Sequence, residues 1–188
     1  MKKIMVLAVL LVSSLVAAQS KKTVLDYWKV VGNKINVSEY AADLKNDYIA
    51  YSGGWEGGGE FAIWRRKNGI DLIGDSSYGC GPGCFISRVK FVEPRGTKFV
   101  DVTQKMLPGM VFPAADNPSL SPALEQKILA VYNRKTGEKY TTEQMSYYLK
   151  FPRLGTTITI QSGEFSDSDV VLGYYKFNGT GFVFELAK

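Results

Sequence analysis

Two carboxylates, Glu56 and Glu60, lie in the stretch Ser52-Gly53-Gly54-Trp55-Glu56-Gly57-Gly58-Gly59-Glu60, beside Trp55 and close to Trp64. Paired carboxyl groups next to an aromatic platform are the equipment of glycoside hydrolysis, one acting as acid and the other as base or nucleophile. The same residues, together with Tyr78, form a candidate binding surface in which Trp55 offers a stacking face to a carbohydrate. The stretch lacks the Gly-Lys-Ser/Thr ending of a phosphate loop and runs into a strand, so a nucleotide cradle is not expected. Its glycines fit a hairpin loop with unusual φ angles.

Gly79-Cys80-Gly81-Pro82-Gly83-Cys84 carries both cysteines of the chain. In an oxidising compartment they are expected to close a tight structural disulfide. A redox dithiol normally has two intervening residues and a helix after the first cysteine, whereas strand-like Phe85-Ile86-Ser87 follows here. Two thiolates are also too few for a zinc site.

Gly74-Asp75-Ser76 after a strand resembles the nucleophile block of the GDSL esterases, a likeness of about five residues. That family requires a catalytic histidine, and the chain contains none. The same zero excludes Ser-His-Asp and Cys-His nucleophile systems and histidine-ligated metals. Asp167-Ser168-Asp169 offers hard oxygen ligands but lacks the further positions of a calcium loop, and reads as a polar turn. Asn36-Val37-Ser38 and Asn178-Gly179-Thr180 match the glycosylation sequon, incidentally in a chain with a bacterial type of leader. No catalytic residue set, metal site or cofactor is expected.

The elements that would position these groups are short. Val24, Leu25, Trp28 and Val31 mark one face of a helix over Thr23 to Val31, ended by Gly32 and Asn33. Strands are predicted at Tyr48 to Tyr51, Glu60 to Arg66, Ile70 to Asp75, Phe85 to Val92 and Lys98 to Val102, with a turn at Lys67-Asn68-Gly69. Prolines 108, 113, 118 and 122 mark a surface passage between two halves of a sheet. Ser121-Pro122 then opens a helix to about Arg134 that ends near Gly137, with Leu124, Ile128, Val131 and Tyr132 as its buried stripe. Four more strands follow, at Met145 to Phe151, Thr156 to Gln161, Val170 to Phe177 and Phe182 to Leu186, the last two joined by an Asn178-Gly179 hairpin. The fold class is α+β, mostly β: a single domain, residues 19–188, with an antiparallel meander sheet and one or two short helices.

Met1 to Ala18 reads as a signal peptide: Lys2 and Lys3, an apolar run from Ile4 to Val16, and small residues before a cut at Gln19. The run is shorter than the roughly 20 residues that span a bilayer, so no transmembrane anchor is expected in the mature chain. The formal net charge of +5 falls to +3 with the leader's two lysines gone. No basic stripe of a nucleic-acid binder is present, and Lys21-Lys22 and Arg65-Arg66-Lys67 read as solvated surface.

The fragments Phe61-Ala62-Ile63-Trp64, the Cys80 to Cys84 loop, Asp101-Val102-Thr103, Phe151 to Ile158 and Phe177 to Phe182 resemble a group of secreted bacterial β-rich proteins with no activity attached to them. The resemblance implies an extracytoplasmic β-rich domain and brings no catalytic residues. The leading expectation is a non-enzymatic secreted or periplasmic binding module, of inhibitor or immunity type. It would present its glycine-rich and cysteine-containing loops to a macromolecule, protein or glycan. The alternatives are a glycan hydrolase using Glu56 and Glu60, and an envelope structural protein.

Overall fold

A computed structural model of the chain describes residues 21–32, 37–53, 57–81, 83–114, 117–163 and 170–188. The leader, Asn33, Asn36, Trp55, Glu56, Pro82 and Asp167-Ser168-Asp169 lie outside the described residues.

The first element is helix α1, Val24–Val31. The Thr23 side chain accepts from the Asp26 N–H and the Asp26 carboxylate accepts from the Thr23 N–H, a capping box that satisfies donors the first turn would leave unpaired. A large sheet follows: β1 Val37–Asp43, β2 Tyr48–Gly53, β3 Gly58–Trp64, β4 Leu72–Cys80, β5 Cys84–Arg95 and β6 Lys98–Asp101. Helix α2, Thr103–Met106, the small hairpin of β7 Met110–Val111 and β8 Ser119–Leu120, and helix α3, Pro122–Thr136, form the crossing. The chain then returns to the sheet as β9 Tyr147–Lys150, β10 Ile158–Ser162, β11 Val171–Phe177 and β12 Phe182–Leu186. The fold is α+β, mostly β, with three helices among the described residues rather than one or two.

Strand order is β1-β2-β3-β4-β5-β9-β10-β11-β12, with β6 beside β5. Among the described residues every pairing is antiparallel except one, where Phe85 of β5 meets Tyr147 of β9 in parallel. The meander is therefore two ladders joined edge to edge. Between that joint and β6, the edge of β5 is capped by side-chain chemistry: the Thr103 hydroxyl accepts from the Phe91 N–H at 2.8 Å.

Alternation along the strands separates two cores. One face carries Ile49, Tyr51, Phe61, Ile63, Ile73 and Val92, covered by Val24, Tyr27 and Trp28 of α1. The other carries Tyr48, Ala62, Trp64, Leu72 and Phe91, covered by α3 through Leu124, Ile128, Val131 and Tyr132. That stripe is the one the sequence marks. Trp64 of β3 lies with its ring centroid 5.3 Å from Phe182 of β12, so the sheet coils until strands far apart in its order share one interior. Gly74 makes this possible, because a Cβ there would stand 2.7 Å from both the Trp64 and Phe91 rings.

Several boundaries differ from the sequence reading. Strand β1 is absent from it, and β4 runs on through Ser76, Ser77 and Tyr78 to Cys80 rather than stopping at Asp75. In both asparagine-glycine turns only the glycine has positive φ, 77° at Gly69 and 95° at Gly179. The asparagines act instead as acceptors, Asn178 Oδ1 taking bonds from the Thr180 and Gly181 N–H groups.

Arg65 and Arg66 are not solvated surface. Arg65 binds Asp47 through Nε at 2.6 Å and Asp71 through Nη1 at 2.6 Å, tying the β3–β4 turn to the turn before β2. Arg66 is buried against Glu93, with Nη1 2.5 Å from Oε1. Carboxylates brought in from two turns and from β5 convert a charge run into buried and half-buried ties.

Candidate functional site

The cysteines form the disulfide Cys80–Cys84, which closes the tip of the β4–β5 hairpin with a Cα separation of 4.0 Å. This tip is docked rather than free. The Cys84 N–H donates to the Gly163 carbonyl at 2.8 Å, and the Gly163 N–H donates to the Ser146 carbonyl at 3.0 Å. A Cβ at Gly83 would stand 2.6 Å from the Ser146 hydroxyl. The disulfide thus stiffens the place where the two ladders meet. Replacing both cysteines by serine is expected to cost about 2 kcal/mol in urea denaturation, the loop-closure entropy of so short a ring. Alkylation of the unreduced protein, read by mass spectrometry, should modify neither thiol.

A groove of about 460 Å³ opens across β1 to β4. Its floor is Ala41 and Ala50, and its walls include Glu39, Ser52, Glu60 and Tyr78. These residues share the face of Tyr48, Ala62 and Trp64, where the core gives way to solvent. Tyr40 and Tyr51 also border it, but their rings stack toward α1, with centroids 6.1 and 5.1 Å from that of Trp28. Two sequence candidates therefore meet here, Glu60 and Tyr78, both on strands rather than in a loop. Their proposed companions Trp55 and Glu56 lie outside the described residues.

The glycines beside Glu60 serve clearance, not unusual backbone angles: neither Gly58 nor Gly59 has positive φ. A Cβ on Gly58 would lie 2.9 Å from the Tyr78 hydroxyl, and one on Gly59 would lie 2.4 Å from the Tyr51 ring and 2.3 Å from the Ser76 carbonyl oxygen. Bare backbone lets one tyrosine lie over each face of β3.

Glu60 is 7 % exposed, opposite Ala50 on one side and Ser76 on the other. Burial raises its carboxyl from 4.5 to about 7, against the opposing pull of the Phe151 N–H and the Lys150 charge. Its Oε2 is buried without a hydrogen-bond partner. Burial, and then the charge of Glu60, also raise the Tyr48 phenol. On the opposite face the Tyr51 hydroxyl donates to Asp75 Oδ1 at 2.8 Å, and Arg88 lies 3.6 Å from Asp75 Oδ2. Asp75 thus belongs to a structural network, and neighbouring Ser76 is 2 % exposed, unlike an exposed nucleophile.

In the sequence Glu60 stands out for its nearness to Glu56. The informative signal was a carboxylate two residues before Ala62 and four before Trp64, on the core face of a strand. Among the described residues no three of Cys, Asp and Glu converge on a metal position, and no helix is long and apolar enough to cross a membrane. No family model, curated protein or solved structure matches the chain.

Proposed function

We propose that the protein is an exported, non-enzymatic binding module that takes its ligand in the β1–β4 groove rather than on its loops. The observation that carries this reading is Glu60, a buried carboxyl in the wall of an open groove with one oxygen unmatched. Native structures rarely leave such a group without a donor, and a ligand is the natural source of one. The leader-like Met1 to Ala18 and the Cys80–Cys84 disulfide support export. The docked hairpin tip argues for the groove over the cysteine loop as the recognition surface.

Ala41 tests the assignment because it lines the groove from the exposed face of an edge strand. Ala41→Trp should fill the groove, leave the fold intact, and weaken binding of soluble cell-wall glycan fragments by more than about tenfold. Chemical-shift mapping should place the lost contacts at Ala50, Glu60 and Tyr78. Undiminished binding by the variant would put the ligand elsewhere.

A second reading, glycan hydrolysis with Glu60 as the acid, is supported by one observation: a carboxyl raised to about 7 is protonated often enough to donate at neutral pH. Shortening of the same glycans during the binding assay would distinguish it.

The envelope structural role finds less support. The large exposed hydrophobics, Val30, Tyr40, Phe85, Val111 and Leu154 among them, are scattered over separate elements.

A further inference from the structure

The groove's charge runs against that of the chain. The formal net charge is +5, yet the described residues lining the groove include two carboxylates, Glu39 and Glu60, and neither lysine nor arginine. The floor of Ala41 and Ala50 presents methyl groups on which a methylene chain or the apolar face of a sugar can pack. Glu60 Oε2 is buried and has no donor, and among the described residues lining the groove none is a cation. Around Glu60 stand Tyr48 from β2, Tyr78 from β4, Glu39 from β1 and Lys150 from β9. Lys150 influences Glu60 through its charge, but Oε2 stays unpartnered. A buried carboxylate gains most from a charge-assisted donor, so this site discriminates in favour of N–H⁺ and against anions.

Resting on the reading of the groove as a binding site, we propose that it is a subsite for a primary ammonium group, with Glu60 as counter-ion and Glu39 at the mouth. The ammonium is carried either by an amino sugar or by an aliphatic polyamine, and both present the same cation to the same carboxylate. Binding draws on the ionised carboxyl, so below about pH 7 the ligand must first expel a proton. Affinity therefore falls by about tenfold per pH unit as pH drops below that point, and falls again above it once the ligand's own ammonium gives up its proton.

The test uses the mature chain with three probes: a glucosamine oligosaccharide, spermidine, and an N-acetylglucosamine oligosaccharide as the uncharged control. Carbon NMR of the Glu60 carboxyl and calorimetry in buffers of different ionisation enthalpy supply the readouts. At least one amine should move the Glu60 resonance, lower its titration midpoint and release protons, while the acetylated control does none of these. Glu60→Gln should weaken amine binding by at least about tenfold. A response to the glucosamine oligosaccharide alone identifies the source as an amino sugar, and a response to spermidine identifies it as an aliphatic amine.

The proposal is overturned if neither amine moves the Glu60 resonance at millimolar concentration, if the control binds as tightly, or if Glu60→Gln binds amine unchanged. Because the resonance is read in the unmutated protein, the test survives a variant that fails to fold. Ala41→Trp separates the two levels of the reading. Loss of control binding in that variant would keep the groove and sink the ammonium, whereas amine binding that survives it would sink the groove as well.

Discussion

Replacing Glu60 by glutamine should abolish a loss of stability of about 3 kcal/mol that the unmodified protein suffers between pH 4.5 and about 7. Below pH 4.5 the carboxyl is neutral in both folded and unfolded chains. Between 4.5 and about 7 the unfolded chain gives up its proton while the folded chain keeps it, because burial opposes ionisation. Unfolding is then favoured by about 1.4 kcal/mol for each pH unit, and the slope vanishes above the folded value. Glutamine cannot ionise, so whatever constant offset its amide introduces, the stability of the unmodified protein relative to the variant must fall with pH across this window. Urea titrations of both proteins from acid to neutral pH measure it directly. Parallel curves would mean that Glu60 ionises like an exposed carboxyl, and its place in the groove wall would need revision.

The opposite slope comes from Glu93. The Arg66 guanidinium, and then Arg95, hold its carboxyl below the usual range, so this contribution is present above the unfolded value and lost as pH falls. Of the two groups, Glu60 favours the fold at the acid end of this window and Glu93 at its neutral end.

Arg66→Met is expected to destabilise the fold by about 3 kcal/mol at neutral pH. The Arg66 and Glu93 side chains are 6 % and 7 % exposed, so removing the guanidinium strands a buried carboxylate. Arg95 remains 3.0 Å from Glu93 Oε2, but its side chain is 62 % exposed and mostly hydrated, which keeps the cost at the low end for a broken buried pair. Methionine retains the stem that packs near Met106, where Arg66 Nη2 lies 3.2 Å from the sulfur, so the loss reports charge rather than volume. A double replacement, Arg66→Met with Glu93→Leu, should recover most of the stability because no charge is then left buried. The single variant's deficit should also shrink as pH falls and Glu93, no longer held ionised by Arg66, takes up a proton. A deficit independent of both pH and the second substitution would assign the effect to packing.

The helices were legible because each carries its signals in consecutive residues. Thr23 with Asp26 opens α1, and Ser121-Pro122 with Gly137 brackets α3, whose Leu124, Ile128, Val131 and Tyr132 fall on one face. Strands with a buried side were legible for the same reason, as β10 and β11 show. Strand β1 was not, since the five residues Ser38 to Ala42 are exposed and show no alternation. The end of β4 was hidden by Ser76, Ser77 and Gly79, whose strand conformation is imposed by pairing with β3 and β5 rather than by propensity. The ties of Arg65 and Arg66 depend on Asp47, Asp71 and Glu93 arriving from other turns and strands, which no local pattern announces. Of the candidate site, Glu60 and Tyr78 could be named but not placed together. Their meeting depends on the register that sets Gly58 opposite Tyr78 and Glu60 opposite Ser76.

The single parallel contact between Phe85 and Tyr147 also bears on how the chain finds its fold. Every other strand pairing in the described residues joins neighbours in sequence, so each ladder can zip from its own turns in microseconds. Joining them requires the closure of a loop of about sixty residues, at an entropic cost that only the shared core around Trp64, Phe91 and Phe182 repays. The joint and that aromatic cluster therefore have to form together, and the pace of folding is set by this one long-range encounter.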